Sequence, residues 1–438
     1  MKKLLQSKLK IFLFSLLFVT SNMVYAQVWD VYSNSLSMGR DVIYTSDSFI
    51  VATGTPSSFS SGVSMKMDLN GNLIWTKPYG GFSVCETFDK GFIVASCVNY
   101  TKAQLRKLDS NGNLLWDSLY GGPGQSEIMS VIQASDSGIV ACGFNNNYGD
   151  SSIYIMKTDK DGNFLWQQNI YALDFGLARE VVELNNKYYI IGYSGYSSNQ
   201  MIAFICLEPN GTLSLRKDIA LGYRAQAIAP YDENSFVVCG QSSVTKINLS
   251  GDTIWHKQFN GQMFHFQSID VTENKNIVIS GSQGYLVGYD DFEHNMMLVL
   301  NAYGSIVFSK TFIVVGNHIS QSLESVISLS NTDFVGCGYV YKNDTIKMRV
   351  LQYHNITSDI PSNYAVDKSI VVYPNPTTDK VVIDVDGLKK VQLFNGAGKL
   401  LQETNNNPEL DLSAFPKGFY FLKVFTEKGI YVEKIILQ

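Results

Sequence analysis

Asp159-Lys160-Asp161-Gly162-Asn163-Phe164-Leu165-Trp166 decides the reading of this chain, because the phrase recurs. It returns as Asp68-Leu-Asn-Gly71-Asn-Leu-Ile-Trp75 and as Asp109-Ser-Asn-Gly112-Asn-Leu-Leu-Trp116, with a looser copy at Asn248-Leu-Ser-Gly251-Asp-Thr-Ile-Trp255. Two eroded copies, ending at Leu215 and Phe308, keep the glycine and replace the tryptophan. The anchors fall at 75, 116, 166, 215, 255 and 308, so the period is 40 to 53 residues. A period of that length in a β-rich chain marks the blades of a propeller.

One full unit runs from Glu127 to Tyr171. Strands are expected over Ile128 to Ala134, Ile139 to Phe144, Ile153 to Thr158 and Phe164 to Tyr171. The Asp-Gly and Asn-Gly turns between apolar runs are hairpin signals, since their central residues need positive φ. The second strand can be counted separately: it starts at Phe49, Phe92, Ile139, Tyr189, Phe236, Ile277 and Phe334. Seven such strands stand against six anchors, and the missing fourth strand is matched by Val28-Trp29-Asp30-Val31-Tyr32. The expectation is an all-β chain with a seven-bladed β-propeller over 27–354, closed by its N-terminal strand. Trp29, Trp75, Trp116, Trp166 and Trp255 are read as structural anchors wedged between neighbouring sheets. The repeat resembles the blade of pyrroloquinoline-quinone-like and WD40-like propellers, in which a Trp docks each blade on the next. Quinone-binding members carry a vicinal Cys-Cys pair and metal-binding acids. This sequence has no Cys-Cys pair, so the resemblance implies the fold and no cofactor.

The chain has 438 residues, of which 45% are hydrophobic, 13% aromatic and 17% charged, enough for more than one domain. Lys2, Lys3, Lys8 and Lys10 precede an apolar run from Ile11 to Val19, and Val24-Tyr25-Ala26 follows. That is the layout of a signal peptide over 1–26; the apolar run is short of the ~20 residues a membrane span needs. No other segment reads as transmembrane. Without 1–26, 30 basic side chains face 39 acids, a net charge of −9 with no basic runs. That balance argues against nucleic acid and against anionic lipid as partners. Cys97, Cys142, Cys239 and Cys337 are read as one repeated slot, too far apart to bridge, and hence as free buried thiols.

After His354 the repeat stops, and 355–369 reads as a linker. A small Ig-like β-sandwich is expected over 370–438. It opens on Tyr373-Pro374-Asn375-Pro376 and continues through Val391 to Lys399, which contains Gly398. Leu410 to Tyr420, with Gly418, and Val432 to Leu437, with Lys434, complete the set. Pro374 and Pro376 are expected to hold the chain extended on entry. These four motifs, in this order, closely resemble the type A C-terminal sorting domain of the Bacteroidetes type IX secretion system. The resemblance implies export to the periplasm, then recognition by the outer-membrane translocon. A sortase that detaches the domain and leaves the protein at the cell surface is a further implied partner.

Sequence signals for chemistry are sparse. The Asp-x-Asp/Asn-Gly-Asn turns look like half of a calcium loop, but the twelfth positions are Tyr79, Tyr120 and Ile170, so they are read as hairpin turns and no metal is expected. The five histidines show no ligand spacing, and there is no nucleophile elbow, so no catalytic residue is assigned. Long second-to-third connections are expected at 53–62, 144–152, 194–200 and 282–295. Their Tyr, Asp and His residues (Tyr148, Asp150, Tyr285, Tyr289, Asp290, Asp291 and His294) are the candidate binding face. The expected function is a secreted or surface-attached binding or adhesion module for glycan or protein. The alternative is an extracellular polymer hydrolase, which acids or a His converging on the central channel would favour.

Overall fold

The computed structural model describes residues 27–354 and 371–438, apart from 57–61, 99–100, 123, 148–149, 172–175, 196–199, 222, 260–262, 288–289, 313–319, 343–344, 386, 396–398 and 427–429. The expected signal peptide and linker lie outside the described residues. Those described form 35 strands, from β1 (Gln27–Tyr32) to β35 (Ile430–Leu437), and no helix. The chain divides into two compact units, the second running from Ser358 to Gln438.

The first unit holds seven four-stranded antiparallel sheets among the described residues. Sheets A to F span residues 37–77, 83–120, 125–171, 176–219, 227–258 and 263–312, with their strands in chain order. Sheet G combines residues 320–354 with β1, which pairs with β28 (Thr345–His354) in the register Trp29↔Gln352, Val31↔Val350 and Tyr32↔Arg349. An ion pair fastens that register. The Arg349 side chain is 4% exposed, and its Nε and Nη2 donate to Asp30 at 3.0 and 2.9 Å.

The recurring phrase explains how one sheet meets the next. Asp159 Oδ1 accepts from the backbone N–H of Asp161 (2.9 Å) and of Asn163 (2.8 Å), and Oδ2 accepts from the Asn163 amide (2.8 Å), so the acid closes the turn. Asp68 and Asp109 do the same in sheets A and B. These bonds favour the charged carboxylate and hold all three acids below the usual range, the main cause being Asn163 at Asp159, Asn72 at Asp68 and Asn113 at Asp109. Gly162 follows with φ +84°, and the indole of Trp116, from the preceding sheet, lies where its side chain would be: a Cβ there would sit 3.1 Å from the ring. Trp29 covers Gly71, Trp75 covers Gly112, Trp166 covers Gly211 and Trp255 covers Gly304 in the same way. The eroded anchors are replaced by other groups. Phe204 and Lys217 fill the space over Gly251, and Phe308 stacks on Tyr353 with ring centroids 5.5 Å apart.

No single core holds this unit. Seven apolar clusters each join two neighbouring sheets, from A with B through F with G, and one joins G to A through Val335, Cys337, Val350, Val42, Ile50 and Met65. The arrangement is propeller-like, with sheet-on-sheet packing repeated around the unit.

Three expectations need correction. The connection expected at 144–152 is largely strand, since β11 (Ile139–Asn147) and β12 (Asp150–Thr158) stay paired as far as Asn147↔Asp150. The one at 282–295 is a ribbon of two 11-residue strands, β23 (Ile277–Val287) and β24 (Asp290–Leu300), continued as pairs to Val287↔Asp290. Polar composition suggested loops there, but paired backbone tolerates polar side chains. The third concerns Cys97. Cys142, Cys239 and Cys337 stand opposite Ser130, Ala227 and Ser325, whereas the residue opposite Ser83 is Ala95, so Cys97 sits two residues beyond that slot. All six cysteines are free thiols, and burial pushes the Cys85 thiol up to about 12.

The second unit has two antiparallel sheets, a three-stranded one containing β30 (Lys380–Asp384) and a four-stranded one containing β34 (Gly418–Thr426) and β35. They share one core, to which Val381, Ile383 and Leu410 contribute from the first, and Val391, Leu422 and Ile435 from the second. The expected extended entry is not found: Tyr373-Pro374 and Asn375-Pro376 are both cis, and the chain bends at 374–376.

Trp166→Ala should destabilise the chain by ~3–5 kcal/mol, because it empties the space over Gly211; an unchanged urea midpoint would remove the inter-sheet role of the indole. Asp30→Ala should cost a similar ~3–5 kcal/mol by leaving Arg349 with a buried, uncompensated charge. Melting curves of the variant and the parent chain test this, and coincident curves would refute it.

Candidate functional site

The side chains that converge are on the first strand of each sheet or, at Phe82 and Gln226, one residue before it. A cavity of about 90 Å³ is lined by two consecutive residues from each of the seven sheets: Arg40-Asp41, Phe82-Ser83, Met129-Ser130, Arg179-Glu180, Gln226-Ala227, Gln267-Ser268 and Glu324-Ser325. In sheets A, C, D, F and G the pair sits at a register shift, between Gly39/Asp41, Ile128/Ser130, Ala178/Glu180, Phe266/Ser268 and Leu323/Ser325. A bulge turns two successive side chains toward the same space, which regular alternation forbids.

The second residue of each pair fastens the sheets together. Asp41 accepts the backbone N–H of Val84 at 2.9 Å, Ser83 that of Val131 at 3.3 Å and Ser130 that of Val181 at 3.3 Å. Glu180 accepts from Ile228 N–H at 2.7 Å, Ser268 from Val326 at 3.2 Å and Ser325 from Val42 at 3.3 Å. The series runs A to B, B to C, C to D, D to E, F to G and G to A; Ala227 has no side-chain acceptor for the step from E to F.

The acids of this ring are unequal. Asp41 accepts four bonds, from Val84, Ser83, Ser325 and Val42, yet burial outweighs them and raises its pKa. Burial lifts Glu180 to about 8 against the single Ile228 bond, with Asp41 and Asp270 adding to the rise. Glu324 is paired with Arg40 at 3.1 Å. Three acids do converge on the cavity, but Asp41 is occupied as a fastener and Glu324 as an ion-pair partner. At about 8, the Glu180 carboxyl keeps its proton near neutral pH.

The residues assigned from sequence lie elsewhere. Asp150 begins β12, and Tyr285, Asp290 and Asp291 lie on the β23–β24 ribbon, opposite Phe292, Val287 and Leu286; Tyr148 and Tyr289 lie outside the described residues. His294 is half-buried, with Nδ1 3.2 Å from the Gln321 amide nitrogen, and burial lowers its pKa. The two groups stand on sheets C and F, with D and E between them, and are not brought together. The channel residues were missed, although they leave a signal. The fasteners at 41, 83, 130, 180, 268 and 325, and Ala227 in the same slot, are each followed by Val or Ile. In the second unit, Tyr373, Pro374, Asn375 and Pro376 are exposed, and Asn375 Oδ1 accepts from Ile436 N–H at 2.9 Å, which ties the opening motif to the closing strand. Tyr420 is buried and donates to the Pro416 carbonyl. Gly418 has φ +153°, Lys399 is exposed, the side chain of Lys434 is not described, and Gly398 lies outside the described residues. No group of three or more His, Cys, Asp or Glu able to hold a metal occurs among the described residues.

Residues 371–438 match the model of the secretion system C-terminal sorting domain. The C-terminal unit is a sorting domain of the type IX secretion system. The sorting domain marks the chain for secretion or for attachment at the cell surface. Among the described residues, no helix is long and apolar enough to cross a membrane. No curated protein matches the sequence. Of the solved structures, the WD40 domain of Neurospora crassa Pan2 is similar at 9% identity and TM-score 0.50, covering 76% of this chain and 96% of that one; at this identity the likeness shows the fold alone. The extracellular domain assigned to a one component system of B. thetaiotaomicron is similar at 10% identity and TM-score 0.47, covering 94% of this chain and 60% of that one. A protein of unknown function from Bacteroides caccae is similar at 14% identity and TM-score 0.42, covering 64% of this chain and 94% of that one.

Glu180→Gln should separate from the parent chain as pH rises. The folded pKa lies above the unfolded one, so folding favours the protonated form and the parent loses stability between about pH 4.5 and pH 8. Gln keeps an acceptor for Ile228 without a charge, so its melting temperature should equal the parent's at pH 4 and exceed it at pH 8. A difference independent of pH would show that Glu180 is not held protonated by the fold.

Proposed function

We propose that residues 27–354 form a seven-bladed β-propeller closed by β1, with a small Ig-like sandwich over 370–438, and that the protein is a surface-displayed binding module for glycan or protein. On this reading 1–26 is a removed signal peptide, 355–369 a linker, and the translocon and sortase are the partners of the C-terminal unit. Seven sheet-to-sheet clusters and a fastener running from sheet G back to sheet A support the closed ring. The observation that carries the binding reading is the channel. It is polar and lined from every sheet, and two of its three acids are consumed by structural bonds, which leaves recognition groups without an assembled pair of catalytic carboxylates.

A hydrolase is the second reading, favoured by one observation: Glu180 keeps its proton near neutral pH, as a general acid must. A glycan and protein array probed with residues 27–438, run beside a polysaccharide hydrolysis panel, separates the two. Specific array binding without product release is expected. Turnover that disappears in Glu180→Gln would replace the binding reading by the enzymatic one.

The sorting domain gives a test of the route. In a bacterium with a type IX system, a chain lacking residues 371–438 should accumulate in the periplasm, while the full chain reaches the surface. Equal surface labelling of both would refute dependence on this domain.

A further inference from the structure

The fasteners account for one residue of each lining pair. The other residue of each pair faces the cavity, and three of these on consecutive sheets have hydrogen-bonding capacity left over. Arg179 of sheet D has no ion-pair partner among the described residues, and its Nε is buried without a hydrogen bond. Its guanidinium group lies 6.0 Å from the Tyr193 ring centroid, a contact that uses the π-face and no N–H. Gln226, just before the first strand of sheet E, and Gln267 of sheet F line the same cavity, and neither side-chain amide has a hydrogen-bond partner among the described residues. A guanidinium group and two primary amides thus face one small space.

The two arginines of that space are not paired alike. Arg40 and Glu324 satisfy each other across sheets A and G at 3.1 Å. Glu180, beside Arg179 in sequence, gives its carboxyl to Ile228 N–H and is kept neutral by burial, so it does not neutralise the guanidinium. Asp41 is turned into the seam between sheets. Arg179 therefore has no carboxylate at ion-pair distance among the described residues, the Glu324 charge acts on it only from further off, and desolvation disfavours the guanidinium as it stands. A guanidinium fork with flanking amide donors matches planar or tetrahedral oxyanions, which accept several such bonds at once.

We propose that Arg179, Gln226 and Gln267 form a binding site for a compact oxyanion, the carboxylate or sulfate group of a small ligand, inside the channel. The site deepens the binding reading by naming the chemistry recognised. A volume of about 90 Å³ admits such a group and excludes a whole oligosaccharide, so a larger ligand would enter only by its charged end. Phe82 and Met129, on sheets B and C, supply the apolar part of the wall.

Calorimetric titration of residues 27–438 with sodium sulfate, glucuronate and glucose tests the site. Sulfate or glucuronate should bind and raise the melting temperature, and glucose should do neither. The stronger of the two anions then tells an inorganic ion from a sugar acid. Arg179→Met should weaken the anion about 10- to 100-fold, the loss of a charge-assisted pair. Gln226→Ala is a second variant, placed in the cradle without a buried charge, and should weaken it several-fold even if the arginine variant does not fold. Glu324→Gln should bind at least as tightly as the parent, since it frees Arg40. Absence of anion binding, or binding equal in the Arg179→Met and Gln226→Ala variants and the parent, overturns the site. Array hits in the absence of anion binding would leave the binding reading intact while sinking this one; absence of both would sink the two together.

Discussion

The contact on which the first unit depends is an indole lying on a glycine of the next sheet. It has two halves that cannot be changed separately. The glycine must lack a Cβ, because the ring occupies that place, and it must reach a φ near +80°, which glycine adopts most readily. The tryptophan must be large enough to reach across, and in three copies its Nε1 gains a partner on arrival: that of Trp29 donates to Leu69 O at 2.9 Å, that of Trp75 to Ser110 O at 3.4 Å and that of Trp166 to Pro209 O at 3.2 Å, whereas that of Trp255 is buried without one. The acid that opens the phrase holds the turn still so that the glycine is presented correctly. One eight-residue phrase therefore specifies both a hairpin within a sheet and a joint between sheets.

The same division of labour recurs at the first strands. Bulges turn two adjacent side chains inward, and the chain uses one for assembly and one for the lining. Seven Val or Ile residues that follow the fasteners place their N–H groups on the seam, and six of the seven seams carry the bond. Ala227 leaves the seam from E to F without it, and there the cluster of Phe264, Phe266, Ile279 and Leu298 on sheet F against Val237 and Val244 on sheet E supplies the adhesion.

The β-rich, propeller-like fold was legible because its information is local. Turn chemistry, strand alternation and the Gly-to-Trp spacing are all contained within eight to ten residues. The sorting domain was legible for a different reason: its motifs are contiguous and ordered. The channel was not, because its members stand 41 to 57 residues apart and meet only once the sheets are arranged. Arg179 and Gln226 look like any exposed polar residues two positions before a β-branched one. Tyr285 and its neighbours, by contrast, form an extended ribbon that has the composition of a loop. Bulges were the missing element, since a strict period of two predicts that Arg40 and Asp41 face opposite ways.

The pairing of Gln27–Tyr32 with Thr345–His354 has a consequence for biogenesis. A chain threaded N-terminus first presents β1 at the start and its partner only after more than 300 further residues, so that strand must wait as an unpaired latch. Assembly of sheet G is consequently a late event with a high loop-closure entropy, however quickly the local hairpins of A to F form. The sorting domain starts at residue 371, 17 positions after the end of β28, so the transport machinery meets its address only on chains that already carry the partner of β1.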